Sequence, residues 1–257
     1  MSLNPASRDW RGLVLPVVFI AVWALVTHVG WVNTRLIVPP EKVLVVAWDY
    51  IVHGPFIRAL LASLWRDGAG FVTGSLAGIA LGSLLGVSGW AERLIGPTFH
   101  TIKQISLFAW IPLLSIWLGY NDTSRIVFVA VSVFYPVTLA TFEGVKSVTR
   151  AQVEVAQVYA FSRSQLFTRL ILPAASPQII TGLNLGLVYA WLATIGAEFL
   201  LPAYGEVGLG DTVIRGRAAF NVELVIFGMV LIGLVGALLN QLATRLEAHA
   251  LRWRGDR

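Results

Sequence analysis

Residues 68–87 read GAGFVTGSLAGIALGSLLGV, twenty residues without a single charge. As a helix rising ~1.5 Å per residue, this stretch is ~30 Å long, the thickness of a bilayer's hydrocarbon core. Gly70, Gly74, Gly78, Gly82 and Gly86 recur every fourth residue, with Ser75 and Ser83 beside them. On a helix such spacing leaves one face nearly bare of side chains. Helices in lipid gain nothing from burying apolar surface against each other, so close backbone approach has to supply the packing. The stripe therefore marks a tight helix–helix contact, within one chain or across a dimer.

The rest of the chain agrees with this reading. Of 257 residues, 56% are hydrophobic and 13% charged, against ~45–50% and ~25% in soluble domains. The mean hydropathy is +0.74. This balance excludes a soluble enzyme, a disordered chain and a fibrous protein, and leaves an all-α polytopic membrane protein. With no cysteine, there is no disulfide framework, thiolate nucleophile or cysteine zinc site. The net charge of +5 comes from 16 Arg and 3 Lys scattered without a basic run. That distribution suits the flanks of membrane spans rather than nucleic acid.

Six spans are expected, at 13–30, 68–87, 105–120 (broken by Pro112), 126–142 (with Pro136 inside), 178–201 and 224–242. The whole chain 1–257 is expected to form one transmembrane domain, with 13–30 as first span and 68–242 as the core of five. An amphipathic helix from Ile57 leads into the second span. Loops are expected at Trp31–Pro55, where a short helix fits Glu41–Val52, and at Tyr204–Asn221. With both termini cytoplasmic, 12 Lys and Arg fall inside and 7 outside, the latter including Arg66 and Arg125. This is the bias of the positive-inside rule. Trp31, Trp90 and Trp253 lie near span ends, where an interfacial aromatic belt belongs.

Between the fourth and fifth spans, residues 145–177 are polar and basic. Two short amphipathic helices fit, about Ala151–Tyr159 and about Arg163–Leu172, the second with Phe167, Leu170 and Ile171 on one face and Arg163 and Arg169 opposite. Pro173 and Pro177 are expected to end the second helix. Such a pair could lie in the headgroup layer, cover the bundle, or dock a soluble partner.

This segment resembles the EAA loop of ABC-importer membrane subunits. Glu154, Ala156, Phe167, Ile171, Leu172, Pro173 and Pro177 match that pattern. Ala160 stands where the pattern has Gly, a residue that would permit a φ > 0 turn between the two helices. AVWALVTHVGWVNTRLIVPP (21–40), WIPLLSIWLG (110–119), GLVYAWLATIGAEFL (186–200), GEVGLG (205–210) and the closing LRW (251–253) resemble the sulfonate/taurine/nitrate branch of these permeases. The resemblance implies a type I importer fold, a second and identical permease chain, two copies of a separate ATPase, and an extracytoplasmic binding protein that delivers substrate. It also implies that 145–177 is a cytoplasmic coupling loop seated on the ATPase, through Glu154, Ala156, Ala160, Phe167, Leu170, Leu172 and Pro173. A docking element needs an apolar face and a charge to fix register; Glu154 supplies the charge, and Phe167 and Leu170 the apolar anchors.

No nucleotide site is present in the sequence. Gly144-Val-Lys146-Ser147 has Val between Gly and Lys and no Gly-rich lead-in, so it is not a P-loop. No cofactor is expected on this chain; ATP and magnesium belong on the partner ATPase. The four His are far apart and suggest no metal site. Glu198, near the outer end of the fifth span, either lines or gates a path, or caps local backbone and pairs with Arg215 or Arg217 in the following loop. Asn184, Tyr189 and Asn240 either line a path or act as interhelical hydrogen-bond glue. No cluster of Arg or Lys is expected within the spans, which would leave substrate selection to the binding protein. A secondary transporter would want ionisable coupling residues at mid-membrane and an inverted repeat. A membrane enzyme would want clustered polar catalytic groups. Neither pattern is evident.

Overall fold

A computed structural model describes residues 11–33, 36–201 and 207–251. Among these residues every regular element is helical: α1 (Arg11–His28), α2 (Pro40–Val52), α3 (Phe56–Val87), α4 (Gly89–Ile102), a 3₁₀ turn (Leu107–Trp110) leading into α5 (Ile111–Leu118), α6 (Asp122–Lys146), α7 (Arg150–Val158), α8 (Arg163–Gln165), a π-helical stretch (Leu166–Ile171), α9 (Leu172–Leu200), α10 (Leu209–Ala218) and α11 (Val222–Ala250). Four helical segments are long and apolar enough to cross a bilayer: α3, α6, the continuous run Arg163–Leu200, and α11.

The glycine stripe of α3 lies along α6. A Cβ at Gly70 would sit 2.5 Å from Val129, at Gly74 2.4 Å from the Ala130 carbonyl oxygen, at Gly78 3.0 Å from Val137, at Gly82 2.5 Å from the Thr138 carbonyl oxygen, and at Gly86 2.6 Å from Val145. The contact is thus within the chain. Contacts that step from Gly70–Val129 to Gly86–Val145 also make the two helices parallel. Parallel neighbours need a return crossing between them, and the chain from Gly89 to Leu118 must provide it. It does so as α4 and the α5 unit, bent by 93° between them. The third crossing is therefore not a continuous helix over 105–120: α5 spans only eight residues, and its Pro112 sits in the first turn, where a missing N–H costs nothing. α1 is apolar but shorter than a full span, so the described residues give four crossings, or five with the bent pair counted as one, against the six expected.

α6 is the central helix. Phe128, Val129, Val133 and Val137 on it are completely buried between α3 and α9. α9 runs antiparallel to α6, and Gly182 and Gly186 face Ala140, Val137 and Val133. Ala190, Ala193 and Ala197 continue the seam into the main core with Leu114 and Leu201. α11 packs at the rim, with Gly236 against Trp191 and Gly228 against Val213. Its other face exposes Met229, Val230, Leu234, Leu238, Leu242 and Leu246, the side chains a lipid-facing helix requires.

The second and fifth spans start earlier than the sequence suggests. α3 begins at Phe56 and has no break before Val87. Pro173 and Pro177 do not end the second short helix. The backbone shifts to π spacing over Leu166–Ile171, where the Leu172 N–H reaches the Phe167 carbonyl. Pro173 then falls in the first turn of α9, which asks no N–H of it. Pro177 leaves the Pro173 carbonyl without its helical donor, and the Ser176 hydroxyl donates to it instead, at 2.8 Å. The Trp253 position, the LRW ending and the start of the loop at Tyr204 lie outside the described residues.

Candidate functional site

The segment between α6 and α9 is built by local signals. Thr149 caps α7 in a reciprocal box with Gln152, and Ser162 does the same with Gln165 at α8. α7 ends in a Schellman motif. The Phe161 N–H donates to the Ala156 carbonyl and the Ala160 N–H to the Gln157 carbonyl, the pairing that places the residue after the C-cap in the left-handed region. Ala160 takes that conformation at φ +52°, so the turn forms without glycine at the cost of strain. Ala160→Gly should raise stability by about 1 kcal/mol, read as a higher midpoint of thermal unfolding in detergent; a lower midpoint would mean that the alanine methyl contributes more than the strain removes.

Glu154 is exposed, and Val155, Val158 and Tyr159 around it are 58%, 85% and 75% exposed. Ala156 faces inward and is buried. Phe167 packs with Leu166 on a small core of the chain's own Val145, Ile171, Ala175 and Ile179. Its half-buried ring helps seat the segment under α6 and α9. Leu170 is half-buried, and Leu172 and Pro173 are exposed at the start of α9.

A groove of about 490 Å³ opens between α6, α9 and the bend after α4, lined among others by Lys103, Tyr135, Pro136, Glu143, Leu185 and Tyr189. Of the four path candidates, Glu198, Asn184, Tyr189 and Asn240, only Tyr189 lies there. Asn184 donates to Glu247 of α11, with Thr181 donating to the same carboxylate at 3.2 Å. It serves as glue between α9 and α11.

Glu198 is fully buried at the outer end of α9, and its partner is neither Arg215 nor Arg217. Its Oε1 accepts from Arg66 Nη1 and from Ser63 Oγ, each at 2.7 Å, and its Oε2 accepts from the Gly210 N–H at 2.7 Å. Arg66 also donates through Nε to Asp122 at 2.7 Å and through Nη1 to the Val207 carbonyl at 3.0 Å. Beside it, Arg125 makes a two-pronged pair with Asp211 at 3.0 Å on each prong and donates to the Leu201 carbonyl at 2.9 Å. Both guanidinium groups have no solvent exposure. The expectation that the spans hold no clustered cations fails here, as does the placing of Arg66 and Arg125 in outer loops. Buried charges persist only where every arm finds a partner, and these two find carboxylates on α6, α9 and α10. Moving them out of the outer set sharpens the charge bias across the membrane. The cluster also explains two glycines of GEVGLG: a Cβ at Gly208 would lie 2.4 Å from the Glu198 carboxyl carbon, and one at Gly210 2.8 Å from its Cβ.

Residues 74–253 match the family described as the binding-protein-dependent transport system inner membrane component. The chain belongs to that family. The putative aliphatic sulfonates transport permease SsuC of Escherichia coli (strain K12) is 34% identical over 239 residues, covering 93% of this chain and 90% of the relative. SsuC of Bacillus subtilis (strain 168) is 31% identical over 246 residues, covering 96% and 88%. Relatives named for taurine, nitrate and bicarbonate transport align at 27–32% identity. Among solved structures, a chain of the methionine ABC transporter MetNI in an inward-facing crystal form superposes with a TM-score of 0.65 at 15% identity, covering 76% of this chain and 95% of that one. The fold is that of a type I importer's transmembrane subunit.

Within this inner membrane component, the buried arginine cluster had no clear signal in sequence. Arg66 and Arg125 stand at the edges of apolar runs, where any positive flank would stand. The α9 seam was readable in principle: Gly182, Gly186 and Ala190 repeat at the same spacing as the α3 stripe. The outward set of Val155, Val158 and Tyr159 was hidden because one turn of helix can face either way until its neighbours are known.

Proposed function

We propose that this chain is the membrane subunit of an ATP-driven importer for a small anion of the sulfonate, taurine, nitrate or bicarbonate kind, working in a bacterial inner membrane. Likeness over nearly the full length to permeases with those names supports the substrate class. The observation that carries the coupling is α7: a short, doubly capped helix that turns Glu154, Val155, Val158 and Tyr159 away from the chain's own core. An exposed apolar patch around one fixed charge is what a docking element needs, since the apolar part gives affinity and the charge gives register. The partner is a separate ATPase in two copies, carrying ATP and magnesium; this chain binds no cofactor. A second identical permease chain completes the path, lipid surrounds it, and an extracytoplasmic binding protein supplies the anion. No nucleic acid takes part.

The test is recovery of the tagged chain from native membranes in mild detergent, with every co-purifying protein identified. The expected result is an ATPase in roughly equal amount. Glu154→Arg should reduce that amount at least about tenfold while the chain still inserts, and Val158→Asp should do the same. A chain that comes out alone even after gentle crosslinking would overturn the importer reading and favour a stand-alone secondary transporter.

A further inference from the structure

We infer that Lys103 is the anion-attracting residue of the translocation path; this rests on the importer reading above. α4 starts at the inner end of the bundle, where Glu92 pairs with Lys146 at 2.6 Å. Two turns later Phe99 packs its ring against Phe134 and Tyr135, each 6.0 Å between centroids, halfway along α6. The helix ends at Ile102, and the chain bends by 93°. Lys103 stands at this bend, deep in the bundle rather than in the inner loop where the sequence alone places it. Its half-buried side chain lines the open groove between α6 and α9.

No ion pair or hydrogen bond ties its ammonium to any described residue. The two cations buried at the outer end of the bundle are both paired: Arg66 with Glu198 and Asp122, and Arg125 with Asp211. An ammonium left unpaired within a membrane protein is costly and marks a water-filled path more often than a packing site. The other charged group of the groove is Glu143, nearer the inner end of α6. Tyr135 and Tyr189 line the groove between apolar walls, and neither phenol hydroxyl has a hydrogen-bond partner among the described residues. A single cation between low-dielectric walls focuses the field and concentrates anions there. One charge with two phenols is too few contacts to hold an anion for long, which suits a site that must release it. Glu143 further along disfavours an anion that lingers toward the inner mouth.

The experiment uses the complete transporter, with its ATPase and binding protein, reconstituted in vesicles. Uptake of radiolabelled taurine, methanesulfonate, nitrate and bicarbonate is measured together with ATP hydrolysis. Lys103→Gln should lower uptake of the transported anion about tenfold, with ATP hydrolysis stimulated by the binding protein preserved. Lys103→Arg should restore most of the uptake. Raising chloride should slow the wild type and leave Lys103→Gln unaffected, a contrast that a mere helix-capping role would not produce. If the wild type takes up none of the four anions, the substrate class is wrong. If it takes one up and Lys103→Gln matches it at every chloride concentration, the assignment falls, and Lys103 is a lysine reaching a lipid phosphate.

Discussion

Replacing Gly74 by leucine should separate α3 from α6 and lose most of the folded protein. A Cβ at Gly74 already meets the Ala130 carbonyl oxygen at 2.4 Å and Val133 Cβ at 2.9 Å. The first of these is backbone in the middle of a helix and cannot rotate away. Overpacking a core costs roughly 1–3 kcal/mol where side chains can adjust; here the helices themselves must part, so about 3 kcal/mol or more is expected. Gly68 on the same helix is the control. Nothing lies within 4 Å of a Cβ there, so Gly68→Ala should be neutral or stabilise by up to about 1 kcal/mol. Thermal unfolding followed by size exclusion in detergent reads both. If the two glycines respond alike, the stripe is not what holds α3 to α6.

A loss of similar size is expected on cutting Glu198 to alanine. The change removes a carboxylate from Arg66 and leaves the Ser63 hydroxyl and the Gly210 N–H without their acceptor. Breaking one side of a buried pair costs about 3–5 kcal/mol, because the remaining charge stays desolvated. Asp122 still holds the other edge of Arg66, which puts the expected loss toward the lower end. Glu92→Ala is the comparison, since its pair with Lys146 is about two-fifths exposed on both sides. Its loss should stay under about 1 kcal/mol. Unfolding midpoints of the two variants in the same detergent decide the matter. Equal shifts would mean that the Glu198 cluster is no more than a surface pair in effect.

Much of this protein was legible from its residues. Charge-free runs the length of a bilayer identify a polytopic membrane protein, because no other solvent accepts that much apolar surface. The four-residue glycine repeat of 70–86 announces a close helix contact. The run from Glu154 to Pro177 carries the family resemblance that the match over residues 74–253 supports. Ala160 shows how far local chemistry reaches: the capping pattern demands a left-handed residue there, and the chain supplies one at φ +52° although the side chain resists it.

The sequence by itself determined the solvent, the helical class and the existence of one close helix contact along the α3 stripe, because hydropathy and glycine spacing act within a few residues. Only the tertiary structure decided which helix receives the α3 stripe, that Arg66 and Arg125 are buried rather than flanking, that Phe167 faces the chain's own core, and that Lys103 stands in a groove. Each of these depends on what a side chain meets across a distance of tens of residues, as Arg66 and Glu198 meet 132 residues apart. A charge at a span edge and a charge locked among four helices look the same in sequence. They differ in energy only through partners that folding brings together.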